Sequence, residues 1–158
     1  MKKNDLKLQV AAAIQACLDK KAEELSILEM EKGSAFTDYF VLCSGTNPRQ
    51  VQAIADEVEL RLKAAGLRPA HVEGYRQAEW ILVDYVDFVV HVFSEKARKF
   101  YDLERLWKTA KRLEPSELKA KTPTKAASRT KTKTKVKTKT TKTMPRRRAS
   151  AAPGRKKA

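Results

Sequence analysis

The run from Glu79 to Trp107, EWILVDYVDFVVHVFSEKARKFYDLERLW, is the most apolar and most aromatic part of the chain, and the rest must be built around it. Trp80, Ile81, Val83 and Tyr85 are β-branched or aromatic, and the same character resumes after Tyr85-Val86-Asp87 at Phe88, Val89, Val90, Val92 and Phe93. This predicts two neighbouring strands joined by a turn. Side chains alternate along a strand, so Ile81, Val83 and Tyr85 share one face and Trp80, Leu82 and Asp84 the other. Both faces are largely apolar, and both need cover. After Ser94, a suitable N-cap, apolar residues recur at Ala97, Phe100, Leu103, Leu106 and Ala110 with Trp107 beside them, the spacing of a helix fed directly by the second strand.

The upstream chain supplies the remaining layers. Leu6, Val10, Ile14, Cys17 and Leu18 form the stripe of an amphipathic first helix. Residues 25–29 alternate as a short strand, and the unbroken apolar run from Tyr39 to Cys43 predicts a strand covered on both faces. A second helix starts after Ser44-Gly45-Thr46-Asn47-Pro48, with Thr46 or Asn47 as cap and Pro48 at its first position. It carries Val51, Ile54, Ala55, Val58 and Leu62 on one side and stops at Gly66. Residues 68–75 give a short strand and loop. The order α-β-β-α-β-β-β-α mixes crossovers with hairpins, so the expected fold is α/β, one mixed sheet of about five strands with helices packed on it.

Charge divides the chain in two. Residues 1–113 hold 18 basic and 17 acidic side chains, so 14 of the net +15 charges fall in the 45 residues beyond them. We read 1–113 as the folded domain and 114–158 as a basic tail. From Lys119 onward Val136 and Met144 are the only large apolar residues, too few to offset an ordering cost of about 1–2 kcal/mol per residue, so the tail is expected to be disordered. Its cations, among them Lys131, Lys133, Lys135, Lys137, Lys139, Arg146, Arg147 and Arg148, suit phosphate contact. With no aromatic residue after Trp107 to stack on bases, they predict RNA binding without sequence readout. No run is long enough to cross a bilayer and the N-terminus lacks an apolar leader core, which leads us to expect a cytoplasmic protein. Cys17 and Cys43, without CxxC spacing or neighbouring histidines, read as buried thiols.

Two chemistries compete for the central run. Asp84 and Asp87 flank a turn, and Ser44-Gly45 ends another strand; paired acids holding a metal against a triphosphate are the layout of a nucleotidyltransferase. Two acids around a hairpin are more often solvated turn residues, and no Walker, Rossmann or zinc pattern accompanies them. His71 and His91, isolated on expected strands, read as structural rather than as ligands, so no metal, cofactor or catalytic residue is assigned. The alternative is a protein contact: Trp80, Tyr85, Phe100, Tyr101 and Trp107 lie close together and are rimmed by Asp84, Asp87, Asp102 and Glu104, a makeup that suits a basic partner. Phe88, Phe93 and Phe100 are assigned to the core.

The segments Asp38-Tyr-Phe-Val-Leu-Cys-Ser-Gly45, Arg49-Gln-Val-Gln-Ala-Ile-Ala-Asp56, Glu73-Gly74, Glu79-Trp-Ile-Leu-Val-Asp-Tyr85, Val90-His-Val-Phe93 and Phe100-Tyr-Asp-Leu-Glu-Arg-Leu-Trp107 follow one another in an order that resembles the ribosomal silencing factor family (RsfS, or Iojap). The resemblance covers about residues 5–113. It implies a nucleotidyltransferase-like α/β domain without the catalytic set, bound to the large ribosomal subunit through its protein L-fourteen. There it would block subunit joining and repress translation in starvation, or, as in organelle relatives, serve large-subunit assembly. By position it carries the partner contact to Trp80, Leu82, Asp84, Asp87 and Tyr101, a patch also open to pairing with a second copy off the ribosome. Relatives usually have Gly where this chain has Val86; a β-branched residue resists positive φ, so the turn is expected to adopt another geometry or to place the demanding position elsewhere.

Overall fold

A computed structural model describes residues 3–33 and 35–118. The tail cations named above, from Lys131 to Arg148, lie outside these residues. In chain order the elements are α1 (Lys3–Asp19), β1 (Glu23–Glu29), β2 (Tyr39–Gly45), α2 (Pro48–Ala64), β3 (His71–Glu73), β4 (Trp80–Asp84), β5 (Phe88–Ser94), α3 (Glu95–Tyr101), α4 (Leu103–Leu106), β6 (Lys111–Leu113) and α5 (Pro115–Leu118). They form one six-stranded sheet in the order β3-β4-β5-β2-β1-β6. Only β2 and β5 run parallel, from Tyr39 beside Phe88 to Gly45 beside Ser94; the other neighbours are antiparallel. The sheet is thus mixed, as the sequence predicts, with β6 as an additional edge strand.

One face is closed by α1 and α2. Val10, Ile14 and Cys17 from α1 and Val51, Ile54, Val58 and Leu62 from α2 meet Val41, Cys43, Ile81, Val83, Phe88, Val90 and Val92 from the strands, all buried. Each such side chain contributes about 1.5–3 kcal/mol on leaving water, so this layer is the main source of stability. Leu18, read as part of the α1 stripe, is 44% exposed, since it sits one position past the buried Cys17 and turns away from the sheet. Cys17 and Cys43 are free and buried with their sulfurs 3.8 Å apart, and the Cys17 hydrogen bond and burial push the Cys43 thiol well above its ordinary pKa.

The ends of α2 follow local chemistry. Asn47 Oδ1 accepts from the Gln50 N–H at 2.8 Å and Pro48 opens the helix. At the other end Gly66 takes φ +84, with Gly66 N–H on the Lys63 carbonyl at 2.9 Å and Leu67 N–H on that of Leu62 at 2.8 Å, the paired bonds of a Schellman stop.

The C-terminal part departs from the sequence reading. A single helix through Ala110 is expected; instead α3 ends at Asp102, which adopts the left-handed region at φ 41. That break redirects the chain, so Leu103 enters the second core with Leu28, Met30, Leu42, Phe93 and Ala97 while Phe100 and Leu106 face outward. Phe100, assigned to the core, is 79% exposed. The packed body also continues past the boundary expected at Leu113, because Leu118 of α5 is fully buried in the α1 and α2 layer. Among the described residues no helix is long and apolar enough to cross a membrane.

Candidate functional site

The second face of the sheet is covered by α3 and α4 near β2 and β5 and is left more open toward β4. Strand alternation puts Trp80, Leu82 and Asp84 there, each half-buried, whereas Ile81 and Val83 point into the core. His71 and Glu73 of β3 pair with Asp84 and Leu82 and extend the same face. The five residues assigned to the partner contact are not all drawn together. Trp80 and Tyr101 pack with ring centroids 4.7 Å apart, and Trp80 stacks on Phe93 at 5.1 Å. Leu82 and Asp84 line a neighbouring groove of about 490 Å³; Asp87 lies in the turn outside that lining.

The turn is held by backbone and carboxylate. Asp84 Oδ1 accepts from the Val86 N–H at 2.7 Å, Tyr85 N–H donates to the Phe88 carbonyl at 2.9 Å, and Asp87 N–H to the Tyr85 carbonyl at 2.9 Å. Val86 takes φ 71. The expectation that a β-branched residue would move the turn to other geometry is therefore corrected: the chain keeps the left-handed position and accepts the strain, since β4 and β5 are pinned by core packing on either side. Val86 is 61% exposed and adds a methyl pair to the groove wall.

Sequence reasoning missed most of that groove. Besides Leu82, Asp84 and Val86 it is lined by Phe36, Phe40 and Trp107 from three other segments, together with His91. Phe36 is wholly exposed. Its only signal in the sequence is an isolated aromatic in a polar loop. His91 is not the fully satisfied histidine expected: Nδ1 accepts from Trp80 Nε1 at 3.0 Å, and the buried Nε2 finds no partner among the described residues. Burial first, then the charge of Arg98, pull its pKa down to about 4, so the ring is neutral.

Ser44 and Gly45, which a nucleotidyltransferase would use, are engaged in packing. Ser44 is buried and its hydroxyl accepts from Arg98 Nη1 at 3.2 Å. A Cβ on Gly45 would come within 2.9 Å of Val51 Cγ2, so this glycine serves the close approach of α2 to β2. Arg98, also buried, reaches Glu104 through two nitrogens, at 2.5 and 3.3 Å. Burial works against ionisation of Glu104, but the Arg98 hydrogen bonds and charge outweigh it and hold the carboxyl below its usual range. Among the described residues no cluster of three or more His, Cys, Asp or Glu could hold a metal. This face presents an apolar groove and paired rings with carboxylates at the rim.

The family described as "Ribosomal silencing factor during starvation" matches residues 3–143. The Bacillus subtilis ribosomal silencing factor RsfS is 46% identical over 100 residues, spanning 63% of this chain and 83% of that protein. A crystal structure of a Chromobacterium violaceum protein superimposes with a TM-score of 0.62 at 36% identity, over 64% of this chain and 84% of that one. A mouse protein named for mitochondrial assembly of the ribosomal large subunit is 26% identical over 104 residues, 64% of this chain and 46% of its own length.

Proposed function

The chain belongs to the ribosomal silencing factor family, and from that premise we propose that it acts in the cytoplasm by binding the large ribosomal subunit and blocking its union with the small one. The observation that carries this reading is the open second face, where Trp80, Leu82 and Tyr101 present apolar surface beside Asp84 and Asp87. Rings in a partly desolvated patch are the residue types that dominate binding energy, and acids at the rim select a basic partner and speed the encounter. The partner is the large-subunit protein L-fourteen. No bond is made or broken; the folded body is an obstacle on the face where the small subunit docks.

The tail, through Lys131, Lys133, Lys135, Lys137, Lys139 and Arg146 to Arg148, adds affinity by holding nearby rRNA as a second linked contact. Separated subunits mixed with the protein and run on a sucrose gradient test the reading: joined ribosomes decrease as protein is added, and unchanged joining at saturation ends it. The name of the mouse relative favours a second role in building the large subunit. Deletion of the protein would then accumulate large-subunit precursors, whereas a purely silencing role alters joining of mature subunits alone.

A further inference from the structure

The charge of the folded body is segregated. Residues 95–112 hold seven basic and three acidic side chains, whereas the rest of residues 1–113 hold eleven basic and fourteen acidic. This positive segment is α3, α4, the turn that follows and the first two residues of β6. Its buried cation, Arg98, is spent on Glu104 and Ser44, an arrangement that clamps α3 to α4 and to β2. Lys96, Lys99, Arg105 and Lys108 are exposed.

Among these cations stands Phe100, 79% exposed. Lys96, Lys99 and Phe100 recur at i, i+3 and i+4 and so share one face of α3. The ring is braced: Phe100 meets Tyr101 edge-on at 5.0 Å, Tyr101 leans on Trp80, and Trp80 stacks on Phe93 of the sheet. A ring at the outer end of such a column loses little freedom when something is laid on it.

We propose that the α3–α4 surface binds single-stranded RNA, with Phe100 stacking on a base and Lys96, Lys99, Arg105 and Lys108 contacting phosphates. Every base has a π face, so the contact tolerates any sequence. The charge argues against the other occupants: a second copy would bring the same positive surface against itself, and lysine is depleted from protein interfaces. This contact supplies the stacking that the tail, without aromatic residues, lacks. It shares the Tyr101 and Trp80 rings with the proposed L-fourteen contact, so RNA binding and L-fourteen capture are measured separately.

The test uses the full chain and a fluorescein-labelled oligouridylate, with anisotropy read over a salt series. Stacking and phosphate contact leave different marks. Phe100→Ala lowers affinity about tenfold at every salt concentration without changing the slope of log K against log salt, because stacking releases no counterions. The double variant K96Q/K99Q flattens that slope by about 1.4, two phosphate contacts at single-strand density. Thermal melts confirm that both variants fold, as expected for exposed positions. If both bind RNA like the parent with the parent's slope, the tail is the only RNA contact and the proposal fails. It fails equally if Phe100→Ala leaves RNA binding intact and instead breaks a dimer in sedimentation, or abolishes L-fourteen capture alone.

Discussion

The indole Nε1–H of Trp80 donates to Nδ1 of His91 at 3.0 Å, which fixes the imidazole as the tautomer protonated at Nε2 and holds the ring of Trp80 against the sheet. The bond needs a neutral imidazole, and burial enforces one by pulling the pKa from 6.5 to about 4. Between those values the unfolded chain binds a proton that the folded chain refuses. Stability from this group is therefore complete above about pH 6.5 and is lost as pH falls toward 4, on the order of 3 kcal/mol in all. Urea midpoints at pH 7, 6 and 5 should fall steadily in the parent. In His91→Gln, whose amide oxygen still accepts from Trp80, they should fall distinctly less.

Val86 occupies the left-handed region with a branched Cβ. Such a position costs about 1–2 kcal/mol, and glycine removes that cost while adding less than 1 kcal/mol of unfolded-state entropy. Val86→Gly should raise stability by roughly 1 kcal/mol, seen as a higher denaturant midpoint with an unchanged slope. A loss of stability would mean that the exposed valine contributes more to the groove wall than the backbone strain takes away.

Arg98 links β2, α3 and α4 through Ser44 and Glu104. Arg98→Ala leaves a largely buried carboxylate without its cation, and breaking such a pair costs roughly 3 kcal/mol. The loss should shrink as the solution is made acidic, where the carboxyl left without its cation takes up a proton and no longer needs a partner. An equal loss at pH 7 and pH 3 would assign the effect to packing alone.

What the sequence revealed depended on how local the cause was. The caps of α2 at Asn47 and Gly66 and the alternation in β4 and β5 act within a few residues, so they could be read along the chain. The end of α3 could not: apolar spacing runs on through Phe100, Leu103 and Leu106, and the break rests on one aspartate, a residue type that tolerates the left-handed region. The three residues of β6 are exposed except Leu113 and carry no alternation long enough to announce a strand. At the site, the common face of Trp80, Leu82 and Asp84 followed from periodicity, and their place in the contact from the family resemblance. The groove did not, because Phe36, Phe40 and Val86 are brought together by the topology of the sheet and not by proximity in the chain.

The extent of the folded body is open to a direct measurement. Leu118 is fully buried against the layer that holds α1 and α2. A chain ending after Leu113 lacks that side chain and should be about 2–3 kcal/mol less stable than one ending after Leu118, as for other buried leucines removed from a core. Equal melting of the two truncations would place Leu118 outside the cooperative unit.

Binding to L-fourteen should divide the face into apolar and charged contributions. Leu82→Arg sets a cation in the apolar strip opposite a basic partner and should abolish capture, with a loss of about a hundredfold or more. Tyr101→Ala removes the ring packed on Trp80 and should cost about tenfold through faster dissociation, since truncating a central ring weakens the formed complex more than the encounter. Asp87 lies in the turn at the rim, so Asp87→Asn should slow association and reduce its salt dependence while leaving dissociation nearly unchanged. Surface plasmon resonance on immobilised L-fourteen separates the three. Wild-type kinetics in both Leu82→Arg and Tyr101→Ala would move the interface off this face, whatever the effect of Asp87.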